Sequence, residues 1–539
     1  MEYVNFILCV AIIIMARSFG VSFKTVSGGP IFVSEMSMDS VYKGSKFSND
    51  KDYMQKRQLF IDTEAQERVG GEIVMNLDEK ALNNRILAMK KKEYDAAHYQ
   101  GGSFAPQINF LQSKPLYEKS DIFKLIQKMP KGGALHLHDV SITDVNWLVG
   151  NVTYRDHCYM CNDVNANDSI VFHFFQNPPS NPGCPWKLVN DVRAKSNNVT
   201  AFDQMLLESM VMTPDLAVGD INMIWKAFEG ALIRAEGLIF YKPVFKDYFY
   251  EALTEFQADN VQYMELRALL PEVYELNGTI IAPRDVMQIY KDTIEEFKHD
   301  NHDFTGAKII KTNIRFFNNS FILDDIKTSV ELLAAFPEHF AGYDLVGQED
   351  PGRTLLSYLD DLLYPSTLDP PVNLPYFFHA GETTWQGTKV DDNLVDAVLL
   401  NTSRIGHGYA ATKHPEVLKV IRNNKIAIEI NPISNQVLKL VDNLQNHPGA
   451  ALLAGGYPVV ISSDDPVIWG ATGLSYDFYA AFMALAGQDD GLPVLKQLAM
   501  NSLIYSAMTD AEKVVAIKAW EVKWNAFVRA ALHDTAPAA

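Results

Sequence analysis

The chain has 539 residues, 47% of them hydrophobic, which is enough to bury a large core and more than one folded unit. Its 47 lysines and arginines stand against 66 acidic residues, a formal net charge of −19 at pH 7. That balance excludes a general nucleic-acid or anionic-membrane binder and favours small, weakly charged ligands.

The chain opens MEYVNFILCVAIIIMARSFG, whose apolar run from Phe6 to Ala16 falls far short of the roughly 20 residues that cross a bilayer. Residues 1–20 read as a signal peptide cleaved near Ser18 to Gly20, although Glu2 stands where a lysine or arginine is usual. The alternative is an apolar helix belonging to the fold. No later stretch is long and apolar enough to anchor the chain, so a secreted, extracellular protein without a membrane span is expected. Six N-x-S/T sequons, at Asn151, Asn167, Asn198, Asn277, Asn318 and Asn401, agree with that expectation.

Residues 21–128 read as an N-terminal helical region. In LDEKALNNRILAMKKKEY, Leu77, Ala81, Leu82 and Ile86 fall on one helical face. No cluster of reactive side chains occurs there, so packing or formation of a homodimer is its expected role.

Across 129–535 the texture becomes one of short apolar runs separated by helical patterns, as in repeated βα units. The runs are 133–139, 261–269, 307–317, 340–347, 375–382, 403–408, 425–434 and 458–466. Eight parallel strands predict an α/β fold of the (β/α)₈ TIM-barrel type, with its active site at the strands' C-terminal ends. The first two runs are too far apart for one helix to join them. Residues 150–200 therefore read as an inserted surface subdomain, carrying Cys158, Cys161, Cys184 and the Pro/Asn-rich QNPPSNPGCPW. One local disulfide to Cys184 is expected, from either Cys158 or Cys161, with one thiol left over. A metal knuckle of Cys158 and Cys161 with His157 or His173 is the alternative, but no second CxxC supports it. The insertion shows no basic excess that would mark a polyanion receptor.

The chemistry concentrates at the ends of the runs. His136 and His138, two apart in the first strand, point to one face. His379 ends the fifth run, His407 the sixth, and Asp464 and Asp465 the eighth; Glu382 follows His379 by three residues. Three histidines and a carboxylate suit Zn²⁺. The competing account, a chance gathering of packed polar side chains, requires costly burial of charge at a barrel mouth.

The strings MPKGGALHLHD, PYFFHAGE, SRIGHG and SSDDP, in this order, resemble the adenosine deaminase branch of the amidohydrolase superfamily. YDLVGQED, HAGETTWQGT, NPISNQVLKL and GLSYDFY are similar to its secreted branch, the adenosine deaminase-related growth factors. The resemblance covers most of the chain. It implies Zn²⁺ on His136, His138, His379 and Asp464, with water as the remaining ligand, and hydrolysis of adenosine at C6. It further implies Glu382 as the acid that protonates N1, and His407 as the residue that orients the water and accepts or screens its proton. Asp465 would hold N7 and the backbone N–H of Gly347 would reach N3. Asp139 and Trp225 are the expected ribose contacts, each with a plainer alternative: Asp139 as a cap of the following turn, Trp225 as a core aromatic.

Two other functions compete. An AMP deaminase would need arginines or lysines near the mouth for phosphate, and none stands out in the catalytic loops. An extracellular growth factor that binds a cell-surface receptor and keeps the barrel as scaffold is the other, and it can coexist with deamination.

Overall fold

The computed structural model describes residues 24–26, 29–31, 47, 49–163, 169–181, 183–216 and 218–533. The expected signal peptide and the sequon at Asn167 lie outside the described residues. The chain resolves into two compact units, residues 1–66 and 67–539. In the first, β1 (Lys24–Val26) pairs antiparallel with β2 (Gly29–Ile31), and a helix spans Asp50–Glu67 without a buried residue. The strand pair was not foreseen in a stretch expected to be helical; β-branched Thr25 and Val26 favour extended chain.

The second unit begins with three helices and the 3₁₀ turn Ala105–Gln107. Leu77–Tyr99 starts at Asn76, whose side chain accepts from Glu79 N–H while the Glu79 carboxylate takes the Asn76 N–H, a reciprocal cap that fixes the helix start. Its buried face is Glu79, Leu82, Ile86 and Lys90, whereas Leu77 and Ala81 of the expected face are exposed. Polar partners turn the helix. Glu79 receives Lys496 Nζ at 2.6 Å and the Trp524 indole N–H at 2.9 Å, and Lys90 donates to the carbonyls of Gly487 and Asp490 at 2.8 and 3.1 Å. Helical segments Phe110–Lys119 and Asp121–Lys128 lead into the barrel.

The first barrel strand is β3 (Gly132–His138). After it the insertion forms a small antiparallel sheet of β4 (Cys158–Asp163), β5 (Ser169–Phe174) and β6 (Lys187–Leu188), in the order β5-β4-β6. Cys161 pairs with Cys184, which resolves the open choice of partner and sets aside the metal knuckle. Cys158 is the buried free thiol, and burial pushes it up to about 12. Helix Ile221–Ile239 packs on this sheet at Gly237, where an added methyl would sit 2.5 Å from the Phe172 carbonyl oxygen.

The remaining strands are β7 (Val261–Ala268), β8 (Gly306–Ile314), β9 (Phe340–Val346), β10 (His379–Ala380), β11 (Arg404–His407), β12 (Ala427–Ile430) and β13 (Val459–Ile461). They form two parallel four-stranded sheets, β3-β7-β8-β9 and β10-β11-β12-β13. Parallel bridges Tyr343↔Tyr376 and Leu137↔Asp464 join these sheets at both seams, closing the (β/α)₈ barrel. All eight expected runs contain a strand, but the fifth is cut to two residues. There the His379 N–H is taken by the Asp344 carboxylate at 2.9 Å, so a side chain replaces part of the ladder. Among the described residues no helix is long and apolar enough to cross a membrane.

The Cys161–Cys184 bridge closes a loop of 23 residues in sequence separation. Chain-entropy arguments give such a loop about 3 kcal/mol. Cys184→Ser is therefore expected to raise the rate of limited proteolysis between residues 158 and 188 by roughly a hundredfold, leaving the barrel intact on a gel. An unchanged cleavage rate would show that the sheet is held by packing alone.

Candidate metal centre and active site

Barrel closure builds the site. Asp464 N–H donates to the His136 carbonyl at 3.0 Å and His138 N–H to the Asp464 carbonyl at 3.2 Å, so the seam that shuts the barrel sets Asp464 against the H-x-H pair. His379 enters from the opposite wall, since β10 lies four strands round the barrel from β3; β10 and β11 align His379 with Gly406 and Ala380 with His407. Gly406 leaves room for this crowding: a methyl there would lie 3.0 Å from His136 Cε1. His407 and Asp464 both hold left-handed backbone, at φ 59° and 62°, a conformation that non-glycine residues adopt at a cost.

His136, His138, His379 and Asp464 each offer one donor atom, and these four atoms lie within 4.8 Å of one another. His138 Nε2 and His136 Nε2 sit 3.0 and 3.2 Å from Asp464 Oδ1. His136 Nε2 and Asp464 Oδ1 are buried yet have no hydrogen-bond partner, an arrangement that a cation between them would satisfy. Imidazole nitrogen and carboxylate oxygen suit a borderline divalent ion, so the residues fit a metal.

The other nitrogens of two ligands are held from behind. His136 Nδ1 lies 2.7 Å from Glu429 Oε2, and His379 Nδ1 lies 2.6 Å from Asp344 Oδ2. Arg267 bridges both carboxylates, with Nη2 to Glu429 at 2.6 Å and Nε to Asp344 at 2.8 Å. Arg404 continues the series, binding Glu429 at 2.6 Å and Glu265 at 2.5 Å. Burial alone would raise Glu429 and Asp344; Arg267 and Arg404 hold Glu429 well below the usual range, while His379 and Arg267 do the same for Asp344.

The remaining acids behave oppositely. Glu382 is fully enclosed, and burial, reinforced by Asp464 and Glu349, pushes its carboxyl well above the usual range. Glu349 also fixes the Glu382 backbone, accepting from the N–H groups of Gly381 and Glu382 at 3.1 and 2.6 Å. Burial raises Asp465 too, with Asp464 adding repulsion against the attraction of His138; its Oδ1 accepts from the Ser141 hydroxyl at 2.5 Å. His407 lies 3.7 Å from both Asp464 and Glu382. Burial lifts Asp139 to about 6, and its Oδ2 accepts from the Tyr290 hydroxyl at 2.7 Å.

The seven residues expected to carry the chemistry thus gather at one barrel mouth. Gly347 directly follows β9 with φ 95°. Trp225 is less direct: its ring packs edge-on to Phe228 at 5.4 Å, although Gln348 ties the first turn of its helix to the Gly347 loop through Asn222 at 2.9 Å. Asp344, Glu349, Glu429, Arg267 and Arg404 had no assigned role in the sequence reading. For Asp344, Glu429, Arg267 and Arg404 the signal was present as charged residues inside strands that are otherwise largely apolar, such as Arg267 in VQYMELRA, whereas Glu349 lies in the loop after β9 and gave none.

The adenosine deaminase family model matches residues 223–519, and a model for the adenosine/AMP deaminase N-terminal region matches 31–126. Adenosine deaminase 2 of Sus scrofa is 44% identical over 506 residues, covering 93% of this chain and 97% of that protein. The crystal structure of the Arabidopsis N6-mAMP deaminase shares the fold at TM-score 0.53 and 18% identity, covering 74% of this chain and 99% of that one. An amidohydrolase from Burkholderia ambifaria with bound Zn shares it at TM-score 0.50 and 16% identity, covering 76% and 95%. This chain belongs to the adenosine deaminase family.

Proposed function

We propose that the chain is a secreted, Zn²⁺-dependent enzyme that hydrolyses adenosine, and 2′-deoxyadenosine with it, to the corresponding inosine nucleoside and ammonia. The observation that carries this reading is the convergence of His136, His138, His379 and Asp464 on one point, with two of their donor atoms buried and unpartnered. The Sus scrofa relative bears the name adenosine deaminase 2, and the Burkholderia neighbour holds Zn.

His136, His138, His379 and Asp464 would hold the Zn²⁺, which would supply an activated water by lowering its pKa to about 7. The chain's own groups do the rest. Glu382, kept protonated by its enclosure, gives its proton to N1 as C6 is attacked, which stops charge building on the ring. His407 orients the attacking water. Asp465, lifted by burial, holds N7, and the Gly347 N–H reaches N3. Asp139 and Trp225 border the ribose side, supported by the burial of Asp139 beside the histidine pair.

An extracellular setting is supported by the Cys161–Cys184 bridge and by exposure of all five sequon asparagines among the described residues. Residues 1–20 serve as signal peptide, 21–128 as a helical region that mediates a homodimer, and 129–535 as the catalytic barrel with its insertion at 150–200. Helix Asp50–Glu67, which buries nothing and exposes Tyr53, Met54 and Leu59, supports the dimer role. Removal of extracellular adenosine acts as a growth signal, and binding to a cell-surface receptor is the second route to it.

Glu382→Gln removes the proton donor while preserving shape. It is expected to lower kcat by at least about 10²-fold with zinc content unchanged, and to leave any receptor-dependent growth activity intact. A variant deaminating at the parental rate would remove Glu382 from the chemistry. Asp344→Asn is expected to weaken zinc binding by roughly 10- to 100-fold in chelator competition, because it loosens His379. Unaltered affinity would mean that Arg267 and the backbone suffice to orient that imidazole.

A further inference from the structure

A line of hydrogen bonds leaves His407 on the side away from the metal ligands. Asn435 Nδ2 lies 3.0 Å from His407 Nδ1, Asn435 Oδ1 lies 2.8 Å from His447 Nε2, and the Gly449 backbone nitrogen lies 2.9 Å from His447 Nδ1. All three side chains are buried. The direction of the line is fixed at its far end. A backbone N–H can only donate, so His447 Nδ1 accepts. Burial pushes His447 down to about 3, which keeps the ring neutral with its single proton on Nε2. That proton goes to Asn435 Oδ1, and the Asn435 amide N–H is left to donate to His407 Nδ1. The amide's orientation follows from the Gly449 donor and needs no separate assignment.

We propose that Asn435 and His447 are positioning residues that hold His407 in a single tautomer, with Nδ1 occupied as an acceptor and the proton on Nε2. The proposal rests on the reading of His407 as the residue that orients the attacking water, and it deepens that reading. In this tautomer His407 presents Nε2–H toward the metal ligands, 3.7 Å from Asp464 Oδ2. It offers the water's oxygen a donor, so it orients by donating and not by accepting a proton. Glu382 Oε1, 3.7 Å from His407 Nδ1, is too distant to compete with Asn435 for that nitrogen.

Rigid elements carry the line. Asn435 belongs to helix Pro432–Val437, which follows β12 directly, and its own N–H bonds the Asn431 carbonyl at 3.0 Å. His447 directly precedes the short helix Gly449–Ala454 at Pro448, and its ring meets Tyr409 edge-on at 5.2 Å. The His407 ring is therefore set from behind by groups outside the metal-donor set.

The test is nitrogen NMR on the full-length, zinc-loaded protein labelled with ¹⁵N-histidine, with the His407 signals assigned by their loss in His407→Gln. The parent protein should show His407 Nδ1 as an unprotonated acceptor and Nε2 as protonated. Asn435→Asp, whose carboxylate can only accept, should exchange the two signals. The same substitution should lower kcat by about 10²-fold with KM within about twofold and zinc content unchanged. His447→Gln, which retains a donor toward Asn435, should keep most of the parental kcat, whereas His447→Phe should lose it. A protonated Nδ1 in the parent protein would overturn the proposal, as would an Asn435→Asp variant with parental kcat. Failure of the parent protein to deaminate adenosine would instead count against the proposed function, because the tautomer is read without substrate.

Discussion

The site depends on an alternating series of buried charges that crosses the barrel interior: Glu265, Arg404, Glu429, Arg267 and Asp344, linked at 2.5 to 2.8 Å. Taking five charges out of water is expensive, and a well-packed apolar interior would serve stability as well or better. The two carboxylates nearest the mouth show what the expense achieves. Glu429 and Asp344 accept from the Nδ1 atoms of His136 and His379, which turns both Nε2 atoms toward Asp464. The two arginines keep those carboxylates ionised and immobile. Removing Arg404 leaves Glu265 without its guanidinium partner, and removing Arg267 does the same to Asp344, so the two arginines hold the series together.

A second constraint is the closure of the barrel itself. Asp464 serves both as a ladder residue, bridged to Leu137, and as a donor facing the histidines. The left-handed backbone of Asp464 and His407 is the conformational cost of that double duty, met by the ladder hydrogen bonds around them. The same crowding divides the carboxylates into two classes. Glu429 and Asp344 beside arginines, and Asp464 among histidines, are held low and stay charged, while Glu382, facing Asp464 and Glu349, is driven toward its neutral form. One small volume thereby holds both an anionic donor that suits a cation and a neutral acid.

Much of this was legible in the sequence because it is periodic or local. The eight runs stand out as short apolar stretches, and the histidine pair announces its shared face by a spacing of two. The disulfide partner was not legible, since Cys158 and Cys161 are equally placed in sequence; only the pairing of β4 with its neighbours sends one inward and the other to Cys184. The buried face of Leu77–Tyr99 was misjudged because apolar periodicity ignores Glu79 and Lys90, which are buried by partners more than 390 residues away. Glu429, Asp344 and Arg267 escaped for the same reason. Their roles exist only once strands distant in sequence become neighbours.

The site stands on the shared focus of four side chains. Anomalous diffraction at the zinc edge from crystals of the metal-loaded protein tests it most directly. The account predicts one peak about 2.0 to 2.2 Å from the Nε2 atoms of His136, His138 and His379 and from an Asp464 oxygen. A peak lying elsewhere, or one that lacks Asp464 or His379 in its coordination, would contradict it.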